Sequence, residues 1–269
     1  MLALRDVSKT YFTERSEVEA LSGVDLDIRE GAFVALAGRS GSGKSTLLHL
    51  LALIDDVTRG WFVFCGVRAD GLPEHKRVAL RRRTSSFIFQ DMRLIDELDV
   101  RANIGIGLLY RDMTAAERRW RVEEAMDFVG LGHRAAHPVP ALSAGQQRRV
   151  EIARAIVSRP RILFADEPAG DLDARGAAQM LQLLWQLNRG GTTVVMATHS
   201  AECAAMADEI VYLMDGLRID GTEGRALRYK SRIDLTATPK IHSLSELGAA
   251  RAGYWLSRVG RGPHQGEHR

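Results

Sequence analysis

The chain has 269 residues, of which 45% are hydrophobic and 26% charged, an ordinary globular composition that excludes collagen-like, largely disordered and coiled-coil proteins. Nine Lys or Arg against four Asp or Glu fall in residues 222–269, which leaves the remainder slightly acidic despite a formal net charge of +3; nucleic-acid binders usually concentrate positive charge in the folded body, so no nucleic-acid partner is expected. No secretory signal and no apolar run of roughly 18 to 20 residues is present, which predicts a cytoplasmic protein.

Short apolar runs rich in Val, Ile and Phe alternate with longer helical patterns along the chain. They cover residues 33–37, 87–89, 162–165, 193–197 and 210–214. Near-continuous apolarity suits strands that are covered on both faces. The pattern therefore predicts an α/β fold in which helices flank a parallel sheet.

Helical patterns replace these runs between Met92 and Pro160. Thr114 and Glu117 have capping-box spacing before an amphipathic segment, a second helix is predicted to start at Ser143, and a third is predicted from Asp173 to about residue 188. We therefore expect a core at residues 1–90 and 161–221, a helical subdomain at 91–160, and a basic extension at 222–269.

A phosphate-binding loop is predicted directly after the first apolar run. Gly38, Arg39, Ser40, Gly41, Ser42, Gly43, Lys44 and Ser45 match the pattern G-x-x-x-x-G-K-[ST], and Thr46 and an apolar helix at residues 47–54 follow. Glycines allow successive backbone N–H groups to face phosphate oxygens, and the helix N-terminus adds partial positive charge. Lys44 would reach the β- and γ-phosphates and the Ser45 hydroxyl would bind Mg²⁺.

An acidic pair, Asp166 and Glu167, follows the apolar run at 162–165. In a parallel sheet the carboxyl ends of strands share one edge, so both carboxylates should lie in the crevice of the phosphate loop. Asp166 could hold Mg²⁺, and Glu167 could polarise the attacking water.

Residues 142–146, Leu-Ser-Ala-Gly-Gln, resemble the LSGGQ signature of ATP-binding-cassette ATPases. Gln90, the Leu172–Asp173 pair and His199 occur in the order seen in that family, and the resemblance covers residues 2 to 221. It departs from the usual pattern at Ala144, where the family has Gly, and at Asp171. Neither change removes a catalytic group.

The resemblance implies a P-loop NTPase (RecA-like) core with a parallel sheet, an N-terminal antiparallel β part and an inserted α-helical subdomain. It implies that Tyr11 stacks on adenine, although Phe12 competes for this role and Tyr11 could instead be a core or edge-strand aromatic. Gln90 would contact Mg²⁺ or the attacking water, Glu167 would be the base, and His199 would bind the γ-phosphate. The residues implied to bind nucleotide are Tyr11, Gly38, Ser40, Gly41, Ser42, Gly43, Lys44, Ser45, Thr46, Ser143, Gly145 and Gln146, and those implied to hold the metal are Ser45, Gln90 and Asp166.

In this family the signature segment caps the ATP bound by another subunit, so the resemblance implies a homodimer that closes on ATP. It also implies an integral membrane partner with several spans, seated near residues 93–103, and a location on the inner face of the cell membrane. Residues 47–53, 97–104 and 168–173 further resemble the branch of lipoprotein-releasing, macrolide-exporting and cell-division ATPases. Transport or extrusion is the leading function, transmembrane mechanical signalling is an alternative, and a ribosome- or nucleic-acid-acting cassette is disfavoured.

The segment 222–269 allows three interpretations. Its glycines and Pro263 favour a solvated extension, Tyr254 and Trp255 favour docking onto a partner, and arginines beside those aromatics favour an anionic membrane surface. The sequence leaves all three open.

Overall fold

The computed structural model describes residues 1–12 and 16–219. Predictions for residues 222–269 therefore lie outside the described part of the chain. Within the described ranges, no helix combines the length and the apolarity needed to cross a membrane.

The described residues form ten strands and seven α-helices. In chain order they are β1 (Leu2–Phe12), β2 (Glu17–Ile28), β3 (Phe33–Ala37), α1 (Lys44–Leu51), β4 (Arg59–Phe64), β5 (Val67–Arg68), α2 (Glu74–Thr84), β6 (Ser85–Ile88), α3 (Val100–Gly105), α4 (Ala115–Phe128), α5 (Ala144–Ile156), β7 (Ile162–Asp166), α6 (Ala174–Arg189), β8 (Thr193–Thr198), α7 (Ala201–Ala204), β9 (Glu209–Met214) and β10 (Leu217–Ile219). Short 3₁₀ turns at Ile106–Leu108, Gly132–Arg134 and Val139–Ala141 connect the helices of the middle segment.

The strands form two sheets. The first is antiparallel in the order β2-β1-β4-β5, and the second has six strands in the order β10-β9-β3-β8-β7-β6. From β9 to β6 every pairing in the second sheet is parallel, whereas β10 pairs antiparallel with β9. These findings confirm the predicted parallel sheet and the antiparallel N-terminal part.

The parallel sheet separates two hydrophobic layers. Along β3, Phe33 and Ala35 point into a cluster built with α3 to α6, while Val34 and Leu36 point into a second cluster built with α1 and the antiparallel sheet. Successive strand residues face opposite sides, so a strand buried on both faces needs the unbroken apolar run seen in the sequence. The helical segment shares its cluster with the sheet, and a separate subdomain at residues 91–160 stays a prediction.

The helix predicted at 47–54 differs from the observed one at both ends. It begins at Lys44, because the phosphate loop runs directly into the first turn, and it ends at Leu51. Leu53 has a backbone φ of 57°, a left-handed conformation that a helix cannot continue through. The sequence pattern had extended the helix because Leu53 and Ile54 are apolar.

Helix α2 has no counterpart in the predicted elements. Its sequence is strongly polar, with only Thr84 buried, so no apolar periodicity marks it. Glu74 lies in its first turn and Arg81, Arg82 and Arg83 lie in its last, the charge order that complements the helix dipole. That order is the signal by which this helix could have been found.

Candidate functional site

The phosphate loop joins the buried strand β3 to helix α1. Its two most constrained glycines are Gly38, where a Cβ would lie 2.3 Å from the Leu213 carbonyl oxygen, and Gly43, which has φ 98° and where a Cβ would lie 2.7 Å from the Ala20 carbonyl oxygen. Any other residue would clash with backbone at both positions. The sequence motif therefore reflects close packing as well as phosphate geometry.

Backbone on both sides holds this loop in place. Gly216 donates its N–H to the Ser42 carbonyl at 3.2 Å, and Ser22 donates to the Gly216 carbonyl at 3.0 Å. The loop is thus wedged between β2 and the turn that joins β9 to β10.

The polar groups of the loop suit an anion. The Ser42 hydroxyl is buried and makes no hydrogen bond, which is costly unless a ligand completes it. Lys44 is only 6% exposed, and its ammonium donates to the Arg39 carbonyl at 2.8 Å. A buried cation beside an unsatisfied hydroxyl at a helix N-terminus fits a bound phosphate group.

Ser45 and Asp166 come together across the sheet edge. The Ser45 hydroxyl donates to Asp166 Oδ1 at 3.1 Å. Burial raises the pKa of Asp166, and the hydrogen bond from Ser45 opposes this. In residues 1–12 and 16–219, no cluster of three or more His, Cys, Asp or Glu is poised for a metal. One carboxylate and one hydroxyl instead match Mg²⁺, which is normally held by few protein oxygens together with substrate phosphates and water.

Glu167 and His199 form a second pair at this edge. Asp166 of β7 is in register with Ala197 of β8, so the residues that follow both strands are neighbours, and His199 Nδ1 lies 2.9 Å from Glu167 Oε1. Glu167 has φ 43°, a conformation rare for a side-chain-bearing residue and typical of functional sites. The Glu167 side chain is mostly buried, whereas that of His199 is 66% exposed.

Tyr11 lies at the end of β1 beside the first turn of α1. Its hydroxyl donates to Asp55 Oδ2 at 2.9 Å and also forms a hydrogen bond with Thr46. Burial, and then the hydrogen bond to Asp55, raise the pKa of Tyr11. The Lys9 ammonium lies 4.8 Å from the ring centroid. The ring is 38% exposed and so is not a core aromatic, while Phe12 is 70% exposed.

Gln90 follows β6, whose Ile88 pairs with Ala165 of β7. The register therefore brings Gln90 to the same sheet edge as Asp166. Its side chain is exposed, and its backbone carbonyl accepts a hydrogen bond from Arg148 Nη2 at 2.8 Å.

The signature segment forms the N-terminus of α5. Ser143 is the N-cap of a complete capping box, in which its own N–H donates to Gln146 Oε1 at 3.0 Å. A Cβ at Gly145 would have no atom within 4 Å. Ala144 begins the helix, where it favours helix formation more than Gly would. These hydrogen bonds stay within the cap, and in the described residues the hydrogen bonds of Ser143 and Gln146 do not reach the phosphate loop.

Site geometry thus unites the loop residues with Asp166, Glu167, His199 and the Gln90 loop, and places Tyr11 beside them. Sequence reasoning missed three polar residues that hold these groups: Lys9, Asp55 and Arg148. For Arg148 a signal was present, since Arg148 and Glu151 are opposite charges three residues apart on an otherwise apolar helix face. For Lys9 and Asp55 the partners are 46 residues apart, and no local pattern connects them.

A family model described as "ABC transporter" matches residues 21–170. The chain is 41% identical over 241 residues to the macrolide export ATP-binding/permease protein MacB of Chlorobium luteolum, covering 90% of this chain and 35% of that protein. It is 40% identical over 216 residues to an uncharacterised ABC transporter ATP-binding protein of Methanocaldococcus jannaschii, covering 80% and 96%. The chain therefore spans about a third of the MacB relative but nearly all of the archaeal one.

Among solved structures, a dimer of the ATP-binding cassette MJ0796 in a post-hydrolysis state with ADP and Pi superposes with a TM-score of 0.76 and 37% identity, covering 82% of this chain and 97% of that one. The structure of cbiO1 from Clostridium perfringens, part of the ABC transporter complex cbiONQ, gives a TM-score of 0.75 and 27% identity, covering 85% of this chain and 91% of that one.

Proposed function

Since this chain belongs to the ABC transporter family, we propose that it binds and hydrolyses ATP and that it powers a membrane transport or extrusion complex. The observation that carries this proposal is the arrangement of three elements at one sheet edge. These are the phosphate loop, the Ser45–Asp166 hydrogen bond and the Glu167–His199 pair.

ATP would bind with its phosphates in the backbone cradle of residues 38–45. Lys44 and the unsatisfied Ser42 hydroxyl would contact phosphate oxygens, and Tyr11, fixed through its hydroxyl, would present its ring to adenine. Ser45 and Asp166, with Gln90, would hold Mg²⁺. When bound, this ion neutralises negative charge on the phosphates.

Hydrolysis would use Glu167 as the group that accepts a proton from the attacking water. His199 lies within hydrogen-bond distance of that carboxylate, so it would fix the orientation of Glu167 and reach the γ-phosphate from its exposed side. The strained backbone of Glu167 supports a functional role, because strain of this kind persists only where surrounding structure enforces it.

Two copies would complete each ATP site. The open face at Gly145 and the capped N-terminus of α5 form an anion-binding surface that the chain's own phosphate loop does not use. A related cassette is dimeric with ADP and Pi bound, which supports the same assembly here. ATP would then join two chains, and hydrolysis would loosen them.

We propose that this motion is passed to an integral membrane subunit with several spans, which would hold the chain on the inner face of the cell membrane. Exposed apolar residues in the segment that follows the Gln90 loop along the chain support a docking surface. They are Ile95, Leu109 and Tyr110, which are 41%, 60% and 74% exposed. MacB-type relatives carry a permease by name, in line with such a partner.

The test compares Glu167→Gln with Lys44→Ala. Glu167→Gln should bind ATP and shift to a dimer by size-exclusion chromatography with light scattering, while turnover falls by at least about 100-fold because the proton acceptor is lost. Lys44→Ala should lose nucleotide binding and remain monomeric. Normal turnover in Glu167→Gln, or a monomer with ATP bound, would refute the proposal.

A further inference from the structure

Arg148 is the largest fully buried side chain in the described residues. It lies on α5 and pairs with Glu151 at 2.7 Å, and both side chains are 1% exposed. Burial raises the pKa of Glu151, and the charge of Arg148 opposes this. Removing two charges from water costs about as much as their attraction returns, so buried pairs of this kind contribute little net stability. The position of this pair therefore calls for a reason other than stability.

The remaining contacts of the Arg148 guanidinium supply a reason for its position. Nη1 donates to the Phe89 carbonyl and Nη2 to the Gln90 carbonyl, each at 2.8 Å. Nη2 also lies 3.9 Å from Asp171, which is in the loop after the Asp166–Glu167 pair. One planar group thus joins α5 to the Gln90 loop and to the segment that follows the acidic pair.

A second arginine of the same helix strengthens this attachment. Arg154, six residues further along α5, donates to the Arg93 carbonyl. The segment from Phe89 to Arg93 is therefore held at two points by α5. At its other end, α5 begins with the capped Ser143 and the open Gly145.

We infer that Arg148 is a positioning residue that makes the Gln90 loop and the signature turn move as one body. This inference rests on the proposed function, in which Gln90 faces one nucleotide and Gly145 faces the other. A shift of the loop on ATP binding would be transmitted through the guanidinium to the N-terminus of α5, five residues away. Glu151 keeps the guanidinium oriented and balances its charge.

These contacts require the planar, forked guanidinium of arginine. Its two terminal nitrogens reach two successive carbonyls and a carboxylate at once, whereas a lysine ammonium is a single point donor. Arg148→Lys should therefore keep the charge but lose one of the two loop contacts.

The experiment separates positioning from packing by removing both charges. Arg148→Met alone leaves the buried Glu151 with only the distant Arg154, at 4.0 Å, as a charged partner, which should lower the free energy of unfolding strongly. Arg148→Met combined with Glu151→Leu fills the same space with apolar groups and should recover part of the lost melting temperature, since the Phe89 and Gln90 carbonyls still lack their donors. We expect this double variant to bind a fluorescent ATP analogue with wild-type affinity but to show at least a 10-fold lower kcat at similar KM. In a Glu167→Gln background it should also dimerise at least 10-fold more weakly.

The matched control is Arg159→Met with Glu124→Leu, which removes another ion pair, of 2.6 Å, with both partners 14% exposed. Within the described part of the chain this pair makes no hydrogen bond or ion pair with the Gln90 loop, so kcat should stay at the wild-type value. If the Arg148→Met/Glu151→Leu variant regains kcat and dimerisation together with its melting temperature, the inference is wrong while the proposed function stands. If the wild type does not turn over ATP and the Glu167→Gln variant does not dimerise, the proposed function itself is wrong.

Discussion

Gly145→Ala should make the chain slightly more stable and much less active. A Cβ at this position meets no atom within 4 Å, and Gly145 is the second residue of α5, with ordinary helical backbone. Replacing Gly by Ala in a helix interior stabilises by about 0.5–1 kcal/mol, and about 0.5 kcal/mol is expected in a first turn. For a domain of this size that corresponds to a rise in Tm of about 1–2 °C.

The same methyl group would occupy the face that the proposal assigns to the partner's ATP. ATP turnover should therefore fall by about 100-fold, the cost of displacing reacting groups by about 1 Å, while binding of a fluorescent nucleotide to the single chain is unchanged. Differential scanning calorimetry and a phosphate-release assay measure the two effects. Gly43→Ala is the contrasting control, since φ 98° and a Cβ 2.7 Å from the Ala20 carbonyl should cost about 1–3 kcal/mol. A Gly145→Ala variant with raised Tm and full turnover would refute the composite site.

Three further outcomes are expected. Thr114→Ala removes the hydroxyl that caps α4 and should lower the free energy of unfolding by about 1 kcal/mol without changing kcat, as urea titration and a turnover assay would show. The pKa of Asp55 is lowered because hydrogen bonds from Lys9, the Asp56 N–H and Tyr11 outweigh the opposing effect of burial. The ionised carboxylate therefore stabilises the fold above the unfolded pKa of about 3.9, and this contribution is lost as the pH falls through the lower folded pKa. Asp55→Asn should be less stable than wild type at pH 6 by about 1 kcal/mol or less, and the difference should shrink as the pH is lowered below about 3.9. His199→Ala should reduce kcat while leaving the affinity for ADP, which lacks the γ-phosphate, within about 2-fold, because Glu167 loses its 2.9 Å partner but the phosphate loop is untouched. An unchanged kcat would remove His199 from the mechanism.

Much of the fold follows from local patterns. Strands buried on both faces produce unbroken apolar runs, and the caps at Thr114, Ser143 and Asp173 were placed where the structure has them. The errors occur where the local pattern and the tertiary structure disagree. Apolar Leu53 continues the helical pattern, yet its backbone turns out of the helix, and α2 is held by charge order instead of an apolar stripe.

The candidate site divides in a similar way. Residues in contiguous motifs, such as Lys44 or Glu167, are recognisable because backbone geometry and chemistry are encoded together within a few positions. Supporting residues are not, because their partners are distant in sequence. Lys9 meets Asp55, and Arg148 meets Phe89 and Gln90 across 59 and 58 residues. Long-range polar contacts carry no periodicity, so only the folded chain discloses them.

The wedge that holds the phosphate loop has a consequence for the order in which the site can appear during synthesis. Residues 38–45 emerge from the ribosome well before Leu213 and Gly216, which form part of the wall around them. A nascent chain in which Leu213 and Gly216 are still inside the ribosome contains the whole phosphate-loop motif but lacks one side of the loop's wall. The nascent chain would thus become able to bind a nucleotide only after the β9–β10 turn has been synthesised.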